Sequence, residues 1–576
     1  MLSFEQIVSF DTETYGLNAY LGDLPFGFAF ANSYEEYYYD DRKYSKQNIY
    51  DSCKELFEDF DRTVILHNAK FDMHMLYVWC LENSFVPIKY NAKIVCTAVM
   101  ARIVNNDRIN TKLKFCAKDY GLEKSDAVDI WIVKNKAYKL VNGEQQKDFS
   151  KVPYAIISNY AKKDSRVTYD LYFCLLNDLS ELQKYNDTLD DGRSLYNILD
   201  REAELLKALF EVEKTGVLIN TDYTRRAFGM ERQRADAASE RFTQITGREL
   251  VDSGKAITSA LIDSGYDESK IPRTEKGNYS LTAKILSSVA HPIADVVNQY
   301  RNAAKSADTF YGGFIDLRDK SGRIHTNFRQ DSTRTFRLSS SNPNLQNIPS
   351  KEVNGFFARN CFIPEENHTW VSMDYKAQEM RLLFDLSGEK TVADRINQGE
   401  DVHEVTASLM GVNRKKAKDV GFALIYGKGI TQLSIDLGIS YNEAKALREL
   451  FFGRMPRSKI LLDKVIRKAR DGFVSNKYGR IYRFKNGFEY KAPNYLIQGT
   501  GGEICKDAMI NIYKIYKQDK VKIVSAVHDE LNFNIHNDYL HEIDNIKKIM
   551  IDVYKPNILS MDVDVSMSTE SWGKCE

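Results

Sequence analysis

Two isolated aspartates carry the first chemical signal. Asp529 stands in Val527-His528-Asp529-Glu530, with Val521, Ile523, Val524 and Val527 on one side and Leu531, Phe533 and Ile535 on the other. This near period-two pattern predicts a β-hairpin with His528, Asp529 and Glu530 in its turn. Asp374 closes the apolar run Thr369-Trp370-Val371-Ser372-Met373, and a helix-like pattern follows it. A carboxylate at a strand end is well placed to project into a cleft. Two carboxylates brought together from distant strands are what two-metal phosphoryl transfer requires.

Between them, within residues 414–427, Arg414, Lys418, Phe422 and Tyr426 recur every four positions. Each step of four turns a helix by about 40°, so the four stay on one side, cations first and aromatics after. Such a face can hold a triphosphate at one end and stack a base at the other.

A separate acidic set lies in the N-terminal third. Asp11 and Glu13 are two apart on an expected strand (Ile7-Val8-Ser9-Phe10-Asp11-Thr12-Glu13-Thr14) and so emerge from one face. Asp72 closes His67-Asn68-Ala69-Lys70-Phe71-Asp72, and Tyr160 and Asp164 are four apart in an expected helix, neighbours on its surface. Mg²⁺ takes oxygen ligands and keeps several waters, so these four acids are expected to hold two ions roughly 4 Å apart that activate water. Tyr160 would orient that water.

Composition bounds the rest. At 576 residues the chain exceeds one core and splits into domains. Formal net charge is zero, so phosphate contacts must come from local clusters: Arg323, Arg329, Arg334 and Arg337, then 414–418, then 454–483 with Phe473, Tyr478 and Tyr482 interleaved. The eight cysteines show no metal-ligand spacing and are expected to be reduced cytosolic thiols. No apolar run is long enough to span a bilayer, and a strand begins almost at once, leaving no room for a signal segment, so a cytoplasmic location is expected.

A strand-end aspartate, a Lys/Arg-aromatic helix and a His-Asp-Glu hairpin, in that order, resemble the three polymerase motifs of family A DNA polymerases, the DNA polymerase I group. The likeness extends to 335–349 (Thr-Phe-Arg-Leu-Ser-Ser-Ser-Asn-Pro-Asn-Leu-Gln-Asn-Ile-Pro), to Gln498-Gly499-Thr500 and to Asp401-Val402-His403. The N-terminal acids resemble the proofreading 3′-5′ exonuclease domain of the same family. The resemblance implies an α/β and α+β multidomain chain: a ribonuclease H-like exonuclease domain, residues 1–185, and then a right-hand polymerase, residues 186–576. Within the latter it implies a thumb at about 201–312, a palm at about 313–385 and 500–576, and fingers at about 386–499. Residues 182–200 are polar enough to be the connection, and the 5′ nuclease domain of many relatives is expected to be absent.

By the same resemblance, Asp374 and Asp529 hold two Mg²⁺, with Mn²⁺ able to substitute, and Glu530 supports them. Asp11, Glu13, Asp72 and Asp164 are the exonuclease ligands. Arg414, Lys418 and His403 grip the incoming phosphates, Phe422 packs on sugar and base, Tyr426 closes over the template side, and Tyr375 joins this nucleotide set. Arg337, Asn344, Gln346, Asn347, Asn494, Gln498 and His528 meet the DNA. Partners are primer-template DNA and deoxynucleoside triphosphates, with a replisome helicase or primase as a candidate, and the chain is expected to be monomeric, in the host cytoplasm if phage-encoded.

The resemblance also implies that Glu379 and Tyr426 pack beneath C2′ and reject a ribose hydroxyl, and that Phe422, where some phage relatives have tyrosine, disfavours dideoxynucleotides. Some positions depart from the family pattern: Phe336 in place of glycine, Lys376 and Ala377, Gly421 and Ala423 around Phe422, and Tyr490 where arginine is common. Phe336 is the departure expected to displace Arg337. Other readings are a stand-alone exonuclease with an inert DNA clamp, a single-subunit RNA polymerase and a non-enzymatic scaffold. The first leaves Asp374, Lys418 and Asp529 without a purpose, Glu379 and the proofreading acids disfavour the second, and the third accounts for none of the acids.

Overall fold

The structure, a computed structural model, describes residues 6–141, 144–189, 192–274 and 276–575. Two compact units make up the chain: Met1–Thr215 with Asn327–Ser341 and Val371–Ser566, and Gly216–Thr326 with Asn342–Trp370 and Met567–Glu576.

In the first unit, β1 (Ile7–Thr14), β2 (Pro25–Ala31), β3 (Glu36–Asp40), β4 (Thr63–Leu66) and β5 (Lys93–Cys96) form a sheet in the order β3-β2-β1-β4-β5. The hairpin side is antiparallel and the β1-β4-β5 side parallel. Alternation along β1 sends Val8 and Phe10 into the core, where Phe10 meets Phe30 and Phe57 edge-on at 5.2 and 5.1 Å. Burial of each such ring stabilises the fold by roughly 2–3 kcal/mol. Ser9, Asp11 and Glu13 take the other face. There α2 (Tyr154–Asp187) is brought close by small residues, the Ser9 hydroxyl donating to the Ser165 carbonyl at 2.8 Å. Asp72 sits in the first turn of α1 (Ala69–Glu82).

Residues 182–200 are not an extended connection. Helix α2 continues to Asp187 and α3 (Leu195–Thr215) begins soon after, leaving 188–194, of which Asp190 and Asp191 lie outside the described residues. The polarity misleads because tertiary bonds satisfy it: Leu182, Leu195 and Leu199 are buried, and the Asn186 amide donates to the Gly479 carbonyl at 2.7 Å. Helix α3 starts before residue 201 and belongs to the first unit rather than opening the second at Gly216.

The same unit contains the hairpin of β6 (Asn327–Arg329) and β7 (Ser339–Ser341) and a second sheet. That sheet is built from β8 (His368–Tyr375), β9 (Val521–Val527), β10 (Glu530–His536) and β11 (Val563–Ser568), in the order β9-β10-β8-β11. Helices α4 (Gln378–Ser387), α5 (Val402–Met410), α6 (Arg414–Ile425) and α7 (Ala492–Tyr516) share its core through Leu383, Val405, Val420, Ile504 and Met509. Polar caps start two of them: Asp401 accepts from the His403 and Glu404 amides, and Asn413 from the Lys416 amide. Helix α7 approaches α4 closely, since a Cβ at Gly501 would lie 2.3 Å from the side-chain Oε1 of Gln378.

The second unit packs helix Thr221–Thr246 against Pro292–Ala304, with Phe242, Leu261, Ile293 and Val297 buried between them and their neighbours. Trp370 and Trp572 stack there at 5.8 Å. Among the described residues no helix is long and apolar enough to cross a membrane.

Candidate active sites

The N-terminal acids form a closed cage. Asp11, Glu13 and Asp164 each offer an oxygen within 4.8 Å of the others. Asp72 stands beside this trio rather than in it: its Oδ1 accepts from the Thr12 amide at 2.9 Å and the Thr12 hydroxyl at 2.7 Å. Tyr160 hydrogen-bonds to Asp164 one turn away on α2. Burial, then Asp72 and Asp164, hold the Asp11 carboxyl well above its usual range; burial, then Asp11, does the same for Glu13. Burial pushes Asp72 up to about 7 despite Thr12. Glu13 Oε1 and Asp164 Oδ1 are buried without a hydrogen-bond partner among the described residues. Oxygen donors this close, desolvated and unsatisfied, fit a hard divalent cation.

One member of the cage carries no motif in the sequence. Lys124 places its ammonium 2.5 Å from Asp164 Oδ2. Burial lowers its pKa, but Asp164, Asp11 and Glu13 outweigh this and raise it. Only the fold brings it there, from the irregular Gly121-Leu122-Glu123-Lys124 segment.

The second pair of carboxylates comes from neighbouring strands. Asp374 is on β8, its carboxylate side exposed, and the next residue's amide, Tyr375 N–H, donates to the Asp529 carbonyl at 3.2 Å. Asp529 lies in the β9-β10 turn, His528 taking the left-handed conformation at φ 58°. The turn is shorter than expected: Glu530 is already the first residue of β10, paired with Val527. Burial raises the Asp529 carboxyl, with Arg337 pulling it down and Glu379 pushing it up. Beneath the pair, burial and then Asp529 push the Cys505 thiol up to about 12, and Asp374 adds to the push, so one buried thiol senses both carboxylates.

Helix α6 presents the expected face. The Lys418 ammonium is 5.9 Å from the Phe422 ring, and Phe422 stacks toward Tyr426, the helix's C-cap, at 6.2 Å. Arg414 is bidentate on Asp401 at 2.9 and 3.0 Å. His403 is buried 6.0 Å from Phe422, its Nδ1 without a partner among the described residues, and burial lowers its pKa. Glu379 is gripped through one oxygen by Arg337 at 2.6 Å and by Tyr426 and Gln498 at 3.3 Å each.

Tyr375 does not belong to this face. Strand alternation turns it opposite to Asp374, and its hydroxyl donates to the Met550 carbonyl at 2.6 Å. Beside Phe336, Arg337 is paired with Glu379. Phe336 takes φ 62°, where a glycine is at ease, and drives its ring into the core over the Arg480 guanidinium at 4.2 Å. Gly421 has a local reason: a Cβ there would lie 2.9 Å from Met380 Sδ. Asn494 is on α7 one turn before Gln498, with its Nδ2 buried and without a partner among the described residues. Asn344, Gln346 and Asn347 lie in the second unit, where Asn344 caps a short turn by accepting from the Gln346 amide.

Comparison with known proteins agrees with both constellations. Residues 221–574 match the DNA polymerase family A model, and residues 1–180 match a 3′-5′ exonuclease model. DNA polymerase I of Chloroflexus aurantiacus is 28% identical over 87% of this chain and 54% of its own. DNA polymerase DpoZ of Salmonella phage PMBT28 is 26% identical over 92% of this chain and 90% of its own. The chain thus spans about half the length of the curated bacterial relatives it matches. The fold is that of the POL domain of Pol1 from M. smegmatis, solved with DNA primer-template and dNTP, at a TM-score of 0.78 and 23% identity over 99% of this chain and 95% of that one. With its matched region covering more than half its length, the chain belongs to DNA polymerase family A, an exonuclease domain preceding the polymerase domain.

Proposed function

We propose that this protein synthesises DNA on a template from deoxynucleoside triphosphates and proofreads it with a 3′-5′ exonuclease. The observation that carries the reading is the Tyr375–Asp529 backbone bond, which ties together the strand ends bearing Asp374 and Asp529, in the unit that also bears the Lys418-Phe422-Tyr426 helix. Mg²⁺, or Mn²⁺ in its place, supplies Lewis-acid neutralisation of phosphate charge and an activated hydroxyl or water when bound.

The chain's own residues do the rest. Asp374 and Asp529 hold the cations for synthesis, with Glu530 beside them, and Asp11, Glu13, Asp72 and Asp164 hold those for proofreading, with Tyr160 orienting water. Arg414 and Lys418 bring charge to the triphosphate. His403, its pKa lowered by burial, brings an N–H at neutral pH rather than a charge. Phe422 packs on the sugar and base. Glu379, held by Arg337, Tyr426 and Gln498, is the group beneath C2′ that refuses a ribose hydroxyl. His528, Asn494, Asn344, Gln346 and Asn347 meet the primer-template, together with Arg337 and Gln498 once DNA competes for them.

The domain plan follows: exonuclease at 1–185 and polymerase from 186 on, with palm strands at β8 to β11, fingers over α5 and α6, and the helical thumb within the second unit. The phage relative that matches over most of both chains favours replication of a phage genome, by a monomer in the host cytoplasm, with a helicase or primase as a candidate partner. The test is extension of a 5′-labelled primer on a DNA template in Mg²⁺. Lengthening with the four deoxynucleotides and shortening without them supports both activities. Shortening alone replaces this reading with that of an exonuclease bearing an inert clamp.

A further inference from the structure

An ordinary surface pair such as Lys114–Asp126 is exposed on both sides, at 61% and 52%. Lys124–Asp164 is not: the side chains are 22% and 4% exposed. The ammonium also lies 5.2 Å from the Tyr160 ring, whose hydroxyl bonds to the same Asp164. Asp164 therefore has a cation on Oδ2 and a buried Oδ1 without a hydrogen-bond partner among the described residues, and it offers an oxygen to the cluster with Asp11 and Glu13. A flexible four-carbon stem lets an ammonium leave such a site without disturbing the backbone.

We infer that Lys124 is a positioning residue of the exonuclease site, a resident counter-ion that holds Asp164, and through it Tyr160, while no divalent cation is bound and that competes with the arriving cation. The inference rests on the exonuclease reading of this cage. Two consequences follow from charge alone. Without the ammonium, four crowded carboxylates repel one another in the metal-free protein, and the cage attracts a dication more strongly. Lys124 thus sets the metal concentration at which proofreading switches on, independently of synthesis.

The experiment uses the full chain and Mn²⁺ as the probe. Lys124→Met is expected to bind Mn²⁺ at the cage about tenfold tighter by calorimetry, with the Asp374 and Asp529 site as the internal reference. The same variant should unfold several degrees lower when metal-free and gain more from Mn²⁺ than the parent does. Lys124→Arg, which keeps the charge, should restore parental affinity and metal-free stability. In Mg²⁺ titrations the half-activation of 3′-end shortening should move to lower Mg²⁺ in Lys124→Met while that of primer extension stays. Unchanged or weaker Mn²⁺ binding in Lys124→Met, or an arginine variant that behaves like methionine, overturns the inference. An Asp164→Asn protein that still shortens 3′ ends overturns the exonuclease reading instead, whatever Lys124 does.

Discussion

The two carboxylate sites of this chain solve the same electrostatic problem in opposite ways. The exonuclease cage gathers Asp11, Glu13 and Asp164 within 4.8 Å, buries Glu13 and Asp164 and balances part of the charge with Lys124. The polymerase pair is more open: Asp374 is exposed, Asp529 is half-buried in a tight turn, and the cations Arg414 and Lys418 stand exposed on a separate helix. The carboxylate with the most partners there is neither of these but Glu379, which accepts from three side chains. A cage suits ions and one chain end. An open cleft keeps its charges in reach of water and fixes Glu379, the group proposed above to read the sugar.

If the sites are independent, the largest effects are also the most selective. Asp529→Asn should cut primer extension by at least about 10³-fold with 3′-end shortening intact, and Asp164→Ala should do the reverse. A variant that loses both activities together would break the comparison. Next, Lys418→Ala should cost extension about 10²-fold and appear chiefly at low nucleotide concentration, with no change in shortening. Glu379→Ala should lower discrimination against ribonucleotides by about tenfold or more in single-nucleotide incorporation, leaving deoxynucleotide use nearly unchanged. Full retention of selectivity would remove Glu379 from the sugar-reading role.

The last effect is on stability and concerns the helix that carries Gln498. Helix α7 carries Gln498 on one side and Glu503, Lys506 and Asp507 on another, in a buried ion network with Glu202, Arg201 and Arg480. Burial opposes its charge, but Arg480, Lys506 and Arg201 hold the Glu503 carboxyl down from 4.5 to about 2. A depressed carboxylate stabilises above its unfolded pKa, so this contribution, about 3 kcal/mol, is present above about pH 4.5 and lost on acidification toward pH 2. Asp507 has the opposite sign: burial raises it to about 6, so protonation between about pH 6 and 4 favours the fold. Denaturant midpoints should therefore rise slightly from pH 7 to 5 and fall steeply below 4, and Asp507→Asn should flatten only the upper part.

Legibility differed between these regions for a physical reason. Asp11 and Glu13 were readable because a strand puts i and i+2 on one face, and Tyr160 with Asp164 because a helix makes i and i+4 neighbours. The same rules mark the face of α6. Periodicity also corrects a resemblance: Tyr375 adjoins Asp374 in sequence and for that reason points away from it. The end of α2 and start of α3 were missed because polar residues such as Asn186 find partners hundreds of positions away. Lys124 had no local signal at all.

Sequence alone determined the identity of the chemical groups, the periods that place them on faces and the family to which their order belongs. Tertiary structure alone decided which charges meet: Lys124 with Asp164, Glu379 with Arg337, Tyr426 and Gln498, and Arg480 with the buried Phe336 ring. Local periodicity reaches only a few residues along the chain. Burial and Coulomb interactions act between whichever groups the fold brings within a few ångströms, however distant they are in sequence.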